Sequence, residues 1–527
     1  MGAWEKLVDH YQIIANTHMR ELLAADPSRA SRYSATIQDL YINYARHRIS
    51  ADTLSLLFSL AEQFSLKQQI EDLFAGKPIN TTEQRPALHT ALRSDGSNAI
   101  NVNGVNIRKQ INDELLHMEE FVSKLHMGEI RGHTGKAINT LVNIGIGGAD
   151  LGPRFVCDAL QAYKTTDLNI HFVANIDYRE INNVLSGSDP ETTLFIISSK
   201  SFTTIETLTN AQTARDWLIT NGCEDTGKHL IAVTANISAA SDFGIAKENI
   251  FRIWDWVGGR YSVWSATGLP VAASIGMKNY RSLLVGANTM DEHFRTQPFA
   301  TNIPVILGLL DIWYINYFHT ETQAIIPYDQ SLKILPEYLG QLMMESNGKI
   351  TRNDNKTADY KTSPVIWGGV GTNSQHTFMQ LLHQGTHLIP VDFIVGTNCA
   401  DDQKIHHKLL LTNCLAQAEA LMNGSSAQND DHAHPYKKVY GNNPSTIIMY
   451  ESLTPESLGM LLAMYEHRTF VQAVIWNINP FDQWGVELGK KISKNITTLL
   501  DDNSADTSLD TITRELIKHY RSPGKQK

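Results

Sequence analysis

The sequence predicts an α/β protein with two doubly wound domains, each containing a parallel sheet, and with helical segments at both chain ends. Short β-branched runs alternate with helical patterns in two successive stretches, which is typical of βαβ units. The chain has 527 residues, of which 42% are hydrophobic and 19% charged. This composition indicates a folded protein with enough apolar side chains for more than one large core.

Four segments follow from these patterns. Residues 1–110 are expected to form amphipathic helices that pack on the second α/β domain. Residues 111–290 are predicted to be the first α/β domain and residues 291–495 the second. Residues 496–527 are predicted to form a helical C-terminal arm.

Individual elements can be placed within the two domains. Thr454 followed by Pro455 is a favourable helix start, because threonine caps a helix and proline suits its first position. The predicted strands are 140–144, 170–174, 194–198, 229–235 and 250–254 in the first domain and 324–327, 365–369, 388–395 and 445–451 in the second, with helices at 150–163 and 204–220.

Charge and cysteine content exclude several classes of protein. Lys and Arg number 45 against 55 Asp and Glu, a net charge of −10, which disfavours a nucleic-acid-binding surface but not a small anionic substrate. The four cysteines form no CxxC pair, so neither a zinc site nor a disulfide framework is expected. Without an export signal or an apolar run of roughly 20 residues, we expect a cytoplasmic protein that does not bind membranes.

A glycine-rich turn follows the first predicted strand. The turn from Gly145 to Gly152 (GIGGADLG) places backbone N–H groups at a helix start, where anions bind favourably. The dinucleotide pattern GxGxxG is not met, because Asp150 stands where its third glycine belongs, so NAD is not expected. Residues 132–137 look superficially like a P-loop, but Ile130 stands where the first glycine of that motif belongs.

A second turn, after residues 194–198, is rich in hydroxyl groups. Ser199, Lys200, Ser201 and Thr204 lie between an apolar strand and a predicted helix. Hydroxyl and helix N–H groups can hold a phosphate dianion with little fixed positive charge, which predicts a sugar-phosphate site. The alternative is that these residues only cap the helix and form the turn.

Glu345 is the candidate general base. It lies in the last turn of a helical pattern that ends at Asn347 and Gly348, where we expect a left-handed cap, and Gln341 is one turn earlier on the same face. A carboxylate at the negative end of a helix is badly placed for stability and well placed for proton transfer. An exposed glutamate at a frayed helix end is the alternative.

His376 is the candidate proton donor and acceptor. The segment from Thr372 to Gln375 has a capping-box pattern that opens a helix, and Gly385 is expected to close it. A histidine in a first helical turn can exchange a proton near neutral pH. A histidine that merely belongs to the cap region fits the same pattern.

Two cations complete the set of candidates. Arg260 follows Gly259 just beyond a strand end, where ligands of open α/β sheets bind, and could stabilise a developing oxyanion. A helix predicted to start at Asp482 would place Gln483 and Lys490 on one face. A solvated surface lysine is the alternative for Lys490. A further cluster has metal-capable side chains but lies in a polar loop, so no metal site is expected at Asp430, Asp431, His432 and His434.

In their order and spacing, these segments resemble the glucose-6-phosphate isomerase family over nearly the whole chain. The resemblance implies two sugar-isomerase (SIS) domains, a homodimer and no cofactor. It also implies the reversible conversion of glucose 6-phosphate to fructose 6-phosphate in glycolysis and gluconeogenesis. The motifs that carry it are VNIGIGGADLGP, SSKSFTTIETLTNA, WDWVGGRYSVWSATGLP, MMESNGK, GTNSQHTFMQLLHQGT and FDQWGVELGKKI, with HTALR in the N-terminal region.

The resemblance also implies a role for each candidate residue. Glu345 would move a proton between C2 and C1 of the sugar, and Arg260 would stabilise the cis-enediolate. His376 of the partner subunit and Lys490 would open the sugar ring. The remaining candidates would bind the substrate, with the phosphate on Ser199, Lys200, Ser201 and Thr204 and the sugar lined by Gly148, Gly259, Gln341 and Gln483.

The sequence departs from the family at two places, and two other functions stay open. Ala149 stands where the family usually has a serine, and residues 40–46 (LYINYAR) lack the family's usual run. A sugar-phosphate-binding regulator would need the phosphate turns but not the proton-transfer residues. An isomerase of a mannose or amino-sugar phosphate would share the chemistry and differ only in the group at C2.

Overall fold

The computed structural model contains two mainly parallel β-sheets and confirms the predicted α/β class. The chain divides into two compact units, Met1–Pro480 and Phe481–Lys527. Both sheets lie in the first unit. The structure describes residues 2–94, 100–102, 104–399, 403–425, 434–501 and 509–521.

Strands and helices are numbered in chain order. The described strands are β1 Ser34–Ile37, β2 Leu40–Arg46, β3 Asn101–Val102, β4 Val105–Asn106, β5 Thr140–Ile144, β6 Asn169–Val173, β7 Thr193–Ser198, β8 Leu230–Thr234, β9 Ile250–Arg252, β10 Thr322–Tyr328, β11 Val365–Gly368, β12 Val391–Gly396 and β13 Ser445–Tyr450. The described α-helices are α1 Ala3–Ile14, α2 Met19–Ala25, α3 Arg29–Arg32, α4 Ala51–Gln63, α5 Leu66–Phe74, α6 Arg108–His126, α7 Leu151–Ala159, α8 Tyr178–Ser186, α9 Ile205–Thr220, α10 Ile237–Asp242, α11 Leu269–Thr296, α12 Ile303–Ile312, α13 Leu335–Gly340, α14 Gly371–Ser374, α15 Met379–Gln384, α16 Lys404–Asn423, α17 Pro455–Ile475, α18 Glu487–Asp501 and α19 Thr511–Arg521.

The first sheet determines where the two predicted anion-binding turns lie. Its strands have the order β6-β5-β7-β8-β9, and all its pairings are parallel. The side chains of β5, β7 and β8 are all buried, as expected for a parallel sheet covered on both faces. The order reverses between β5 and β7, so the turns that follow these two strands flank the switch point where ligands of such sheets bind.

The second sheet shows where the prediction for residues 1–110 is wrong. Its order is β1-β2-β13-β12-β10-β11, and β1 and β2 add two antiparallel strands to four parallel ones. The segment predicted to be helical thus contains the edge of this sheet. Leu40, Ile42 and Tyr44 alternate as buried residues along β2, a period of two that is too short to stand out between helices.

Helix α17 runs through the interior of the first unit. Nearly all its side chains are buried, and it begins as predicted, with the Thr454 hydroxyl accepting from the Ser457 N–H at 3.0 Å. Its Arg468 donates to Asp311 on α12 at 2.5 and 2.6 Å and to Asp392 on β12 at 2.6 Å. A buried arginine needs such partners, so these contacts specify how helices and sheet fit together.

Among the described residues, no helix is both long and apolar enough to cross a membrane. The apolar run near residue 303 instead forms α12 and the following π-helical stretch Trp313–Tyr317. Every residue of α12 is buried inside the first unit. Its apolar character therefore reflects packing in the protein core.

We predict that Asp311→Ala lowers the free energy of unfolding by about 3–5 kcal/mol, because it leaves the Arg468 guanidinium buried without its main partner. Asp113→Ala is the matched control, since Asp113 pairs with Lys109 at 2.6 Å on the exposed surface and should cost at most about 1 kcal/mol. Urea-induced unfolding measures both. Equal, small losses would show that the Arg468 network does not stabilise the fold.

Candidate active site

The glycine-rich turn after β5 packs directly against the turn that carries Arg260. Gly147–Ala149 forms a 3₁₀ turn, and α7 begins at Leu151, so the turn lies at a helix N-terminus as predicted. A Cβ atom on Gly148 would lie 2.0 Å from the carbonyl carbon of Gly259. Only glycine allows this approach, which brings two backbone turns together at the switch point.

Three fixed contacts orient the side chain of Arg260. The side chain is buried, and its Nε donates to Ser346 Oγ at 2.7 Å. Its Nη2 donates to the Pro480 carbonyl at 2.6 Å, and its Nη1 lies 3.4 Å from Glu345 Oε2. The Tyr261 hydroxyl lies 2.9 Å from Ser346 Oγ and so shares that contact. The guanidinium is therefore held beside the Glu345 carboxylate.

Glu345 and Gln341 are the two ends of a π-helical stretch, Gln341–Glu345, that continues α13. The two side chains lie on the same face, as predicted, and Gln341 Nε2 donates to Glu345 Oε2 at 3.3 Å. Both this contact and the Arg260 contact involve Oε2. The Glu345 side chain remains 28% exposed, so the carboxylate is positioned from behind and stays accessible to a small molecule.

The predicted left-handed cap after Glu345 is wrong. Asn347 and Gly348 both have negative φ values, and the Asn347 side chain is fully buried, where its amide donates to two acceptors on α17. The ammonium of Lys349 closes the helix instead, by donating to the carbonyls of Glu345 at 3.1 Å and Ser346 at 2.6 Å. A buried amide anchor and a cation at the helix C-terminus replace the expected turn.

The hydroxyl-rich turn lies after β7, where the sequence places it. Ser199 is buried, and its Oγ accepts from the Phe202 N–H at 3.1 Å and lies 3.2 Å from Thr204 Oγ1. Thr204 precedes α9, but its side chain forms no capping hydrogen bond. The capping alternative therefore does not account for Thr204. Ser201 is exposed in the same turn.

Lys200 connects the hydroxyl-rich turn to the arginine turn. Its Nζ donates to the carbonyls of Asp255 at 2.8 Å and Val257 at 2.9 Å, just before Gly259 and Arg260. Burial lowers the pKa of Lys200 to about 8, and the nearby Arg85 charge adds to this effect. The side chain is thus a tether between two segments as well as a cation next to the candidate phosphate position.

His376 lies in an exposed turn between α14 and α15. The predicted capping box is wrong, because the helix begins at Gly371 after Val370 and Thr372 lies inside it. A Cβ on Gly371 would lie 2.5 Å from the Tyr328 ring, so close packing on β10 sets the start of the helix. Within the described part of the chain, the His376 ring makes no hydrogen bond.

The other two candidates belong to the second unit. The helix predicted to start at Asp482 starts at Glu487, after a 3₁₀ turn at Trp484–Val486. Gln483 has an extended φ of −151° and precedes that turn, so the argument that places it on one helix face with Lys490 is wrong. Lys490 Nζ lies 2.7 Å from Glu487 Oε1.

Two contributors to the site do not emerge from sequence reasoning. Ser346 and Lys349 both lie within the MMESNGK motif, but their roles depend on partners far away in sequence. Arg260, for example, is 86 residues from Ser346. The polar cluster predicted to bind no metal is described only at His434; Asp430, Asp431 and His432 lie outside the described residues.

Comparisons with known proteins agree on one family. The phosphoglucose isomerase family model matches residues 43–517. The chain is 48% identical over 538 residues to the glucose-6-phosphate isomerase of Marinomonas sp. (strain MWYL1), covering 99% of this chain and 98% of that protein. It is 48% identical over 534 residues to that of Shewanella amazonensis, covering 98% of each. The crystal structure of a glucose-6-phosphate isomerase from Chlamydia trachomatis superposes with a TM-score of 0.89 at 32% identity, covering 99% of this chain and 98% of that one.

We predict that Gly148→Ala destabilises the protein by about 1–3 kcal/mol, because the added methyl group overlaps the Gly259 carbonyl and must push two turns apart. Gly489→Ala is the control: no atom lies within 4 Å of a Cβ at this helical position, and alanine favours a helix over glycine by about 1 kcal/mol. Thermal unfolding of both variants checks this. A neutral Gly148→Ala variant would show that the turns are free to separate.

Proposed function

This chain belongs to the phosphoglucose isomerase family, and we propose that it interconverts glucose 6-phosphate and fructose 6-phosphate. As a member of that family it is an aldose-ketose isomerase. The observation that best supports the substrate and mechanism is the position of Arg260, whose Nη1 lies 3.4 Å from the Glu345 carboxylate. A base and a cation for an enediolate must be adjacent, because the proton leaves C2 while negative charge develops on the neighbouring oxygens.

In the proposed step, Glu345 removes the C2 proton of the open-chain aldose and returns it to C1, while the O2 hydroxyl proton passes to O1 and C2–O2 becomes the ketone carbonyl. The bonding electrons of C2–H form the C1–C2 double bond of a cis-enediolate, and the carbonyl electrons move onto O1. Arg260 stabilises that negative charge, and Gln341 orients the carboxylate from the same side. Because Arg260 and Gln341 both contact Oε2, we assign proton transfer to Oε1. The reaction is an isomerisation without net oxidation, so it requires no redox cofactor.

Phosphate binding is assigned to the turn after β7. The hydroxyls of Ser199 and Thr204 lie 3.2 Å apart near the start of α9, and Lys200 and Ser201 belong to the same turn. In the proposal, these four side chains supply the donors to the phosphate. Hydrogen bonds from hydroxyls and helix N–H groups hold a dianion while allowing the product to leave. The sugar would then lie toward the closely packed backbones of Gly148 and Gly259.

Ring opening is assigned to Lys490 and to His376 of the partner subunit, with Gln483 as a further sugar contact. His376 lies in an exposed turn, so its ring is available to a second copy of the chain. The active unit is then a homodimer with shared sites, and the proposed setting is glycolysis and gluconeogenesis in the cytoplasm.

A coupled assay tests the proposal directly. The isomerase step is run with fructose 6-phosphate and no added metal or nicotinamide, and glucose 6-phosphate is measured afterwards. We expect turnover. Binding without turnover would contradict the proposal and favour a sugar-phosphate-binding regulator. Faster conversion of a mannose or amino-sugar phosphate would assign a different substrate to the same chemistry.

We predict that Glu345→Gln abolishes hydrogen isotope exchange at C2, with a loss of about 10²–10⁴-fold or more, because an amide cannot accept the proton. Binding of a non-reacting sugar phosphate should change little, since the phosphate turn is untouched. Glu337→Gln, an exposed position on α13, is the matched control and should retain exchange. Exchange at the unmodified rate in Glu345→Gln would remove Glu345 from the mechanism.

We predict that affinity for a polyol phosphate that cannot be isomerised falls about tenfold between pH 7 and pH 9.5. The ligand stays a dianion in this range because its second pKa is about 6, whereas Lys200, with a pKa lowered to about 8, loses its proton as the pH rises. Lys200→Met should bind weakly throughout and show no pH step. Lys109→Met, an exposed lysine on α6, should keep the step; a step that persists in Lys200→Met would contradict the assignment.

A further inference from the structure

We propose that His133, Cys223 and His229 form a binding site for a thiophilic transition-metal ion, with zinc(II) as the representative, away from the candidate active site. One ligand atom from each residue lies within 4.8 Å of the other two. Two imidazole nitrogens and a thiolate are donors that zinc prefers. The site contradicts the expectation from cysteine spacing, because these ligands come from three separate segments of the chain.

The cluster lies at the amino ends of the strands of the first sheet. His133 belongs to the hairpin closed by the bridge between Arg131 and Ala137, which precedes β5. Cys223 follows α9, and His229 immediately precedes β8. The candidate active site lies at the opposite, carboxyl ends of the strands, where β5 and β7 end. A bound ion would therefore stabilise the fold and not contact the sugar.

The P-loop-like segment, residues 132–137, helps to form this cluster. A Cβ on Gly132 would lie 2.0 Å from the Glu191 carbonyl oxygen and 2.7 Å from Cε1 of His229. Glycine is required here so that the hairpin can lie against the histidine ring. The segment that fails as a nucleotide motif thus serves to bring His133 to His229.

His229 is already in the tautomer and orientation that a metal ligand needs. Its ring is fully buried, and Nδ1 lies 2.7 Å from the Thr193 carbonyl oxygen. A carbonyl only accepts, so Nδ1 carries the proton and the lone pair of Nε2 faces His133. In metal-bound histidines, the N–H of the second ring nitrogen typically donates a hydrogen bond to such a carbonyl.

The two histidines are separated by nearly the distance that one ion would bridge. His133 Nδ1 is 3.0 Å from His229 Nε2, which also accepts from the His133 backbone N–H at 2.9 Å. Tetrahedral zinc with bonds of about 2.0–2.1 Å needs roughly 3.3 Å between two nitrogens. The lone pair of His229 Nε2 accepts from the His133 N–H, so the ion would have to replace that hydrogen bond. His133 is half-buried on a hairpin, and we infer that this hairpin moves away from His229 when the ion binds.

Cys223 supplies the third ligand. Its side chain is buried, and a metal ion would bind its thiolate form. On binding, the thiol proton is released to solvent and the Nδ1 proton of His133 moves to its Nε2. A water molecule would take the fourth position, as in sites with three protein ligands.

Cobalt(II), a spectroscopic substitute for zinc(II), tests the proposal on the full-length, chelator-treated protein. We expect one equivalent to bind with a thiolate-to-cobalt charge-transfer band, and zinc(II) to displace it. Cys223→Ser should lose the band, and His133→Ala should weaken cobalt binding by at least about tenfold. Cys399→Ser, a partly exposed free thiol outside the cluster, should retain the band with unchanged affinity.

Two results would overturn the proposal. One is the absence of a thiolate-to-cobalt band in the unmodified protein. That result is expected if Cys223 is only a buried thiol and the two histidines are only hydrogen-bonded to each other. The other is a band that survives in Cys223→Ser or disappears in Cys399→Ser. Because His133 is half-buried, His133→Ala keeps the test decisive if Cys223→Ser fails to fold. Isomerase turnover should be retained in both variants, which separates this test from that of the proposed function.

Discussion

The guanidinium of Arg260 is a buried charge, and the candidate site is built from the groups that neutralise it. Its contacts to Ser346, Pro480 and Glu345 come from segments far apart in sequence. Leaving a buried cation without one of its partners costs about 3–5 kcal/mol, so these segments are stabilised in one arrangement. The same contacts hold the proposed base next to the proposed enediolate-stabilising group. Stability and catalytic geometry therefore depend on one interaction.

Close backbone packing and a buried helix make this arrangement possible. The turns at Gly148 and Gly259 touch where no side chain fits, so the Arg260 backbone lies against the turn that follows β5. On the other side, the amide of Asn347 is anchored on α17. Because α17 is itself held to α12 and β12 through Arg468, the position of Glu345 is tied to the core of the first unit. A rigid core thus supports a partly exposed carboxylate.

Local patterns were sufficient to predict some features and not others. The parallel strands of both sheets and the turns after β5 and β7 depend on nearest neighbours in sequence, so periodicity and glycine spacing predict them. The antiparallel strand β2 depends on pairing with β13, and the helix end after Glu345 depends on burial of Asn347 against α17. The contact of Ser346 with Arg260 spans 86 residues. Spacing along the chain contains no information on such partners, except through resemblance to a known family.

Strand β7 of the first sheet has the His133, Cys223 and His229 cluster near its start and the hydroxyl-rich turn at its end. The Thr193 carbonyl at the start of β7 accepts from His229, and the end of β7 leads into the hydroxyl-rich turn at Ser199. Six extended residues separate these points by roughly 20 Å. An ion bound near the start of β7 is therefore too far away to touch a sugar bound near its end. β7 is also completely buried between parallel neighbours. An ion bound to His133, Cys223 and His229 would therefore act on the unfolding equilibrium by stabilising the folded sheet, while the proton-transfer geometry stays determined by Arg260.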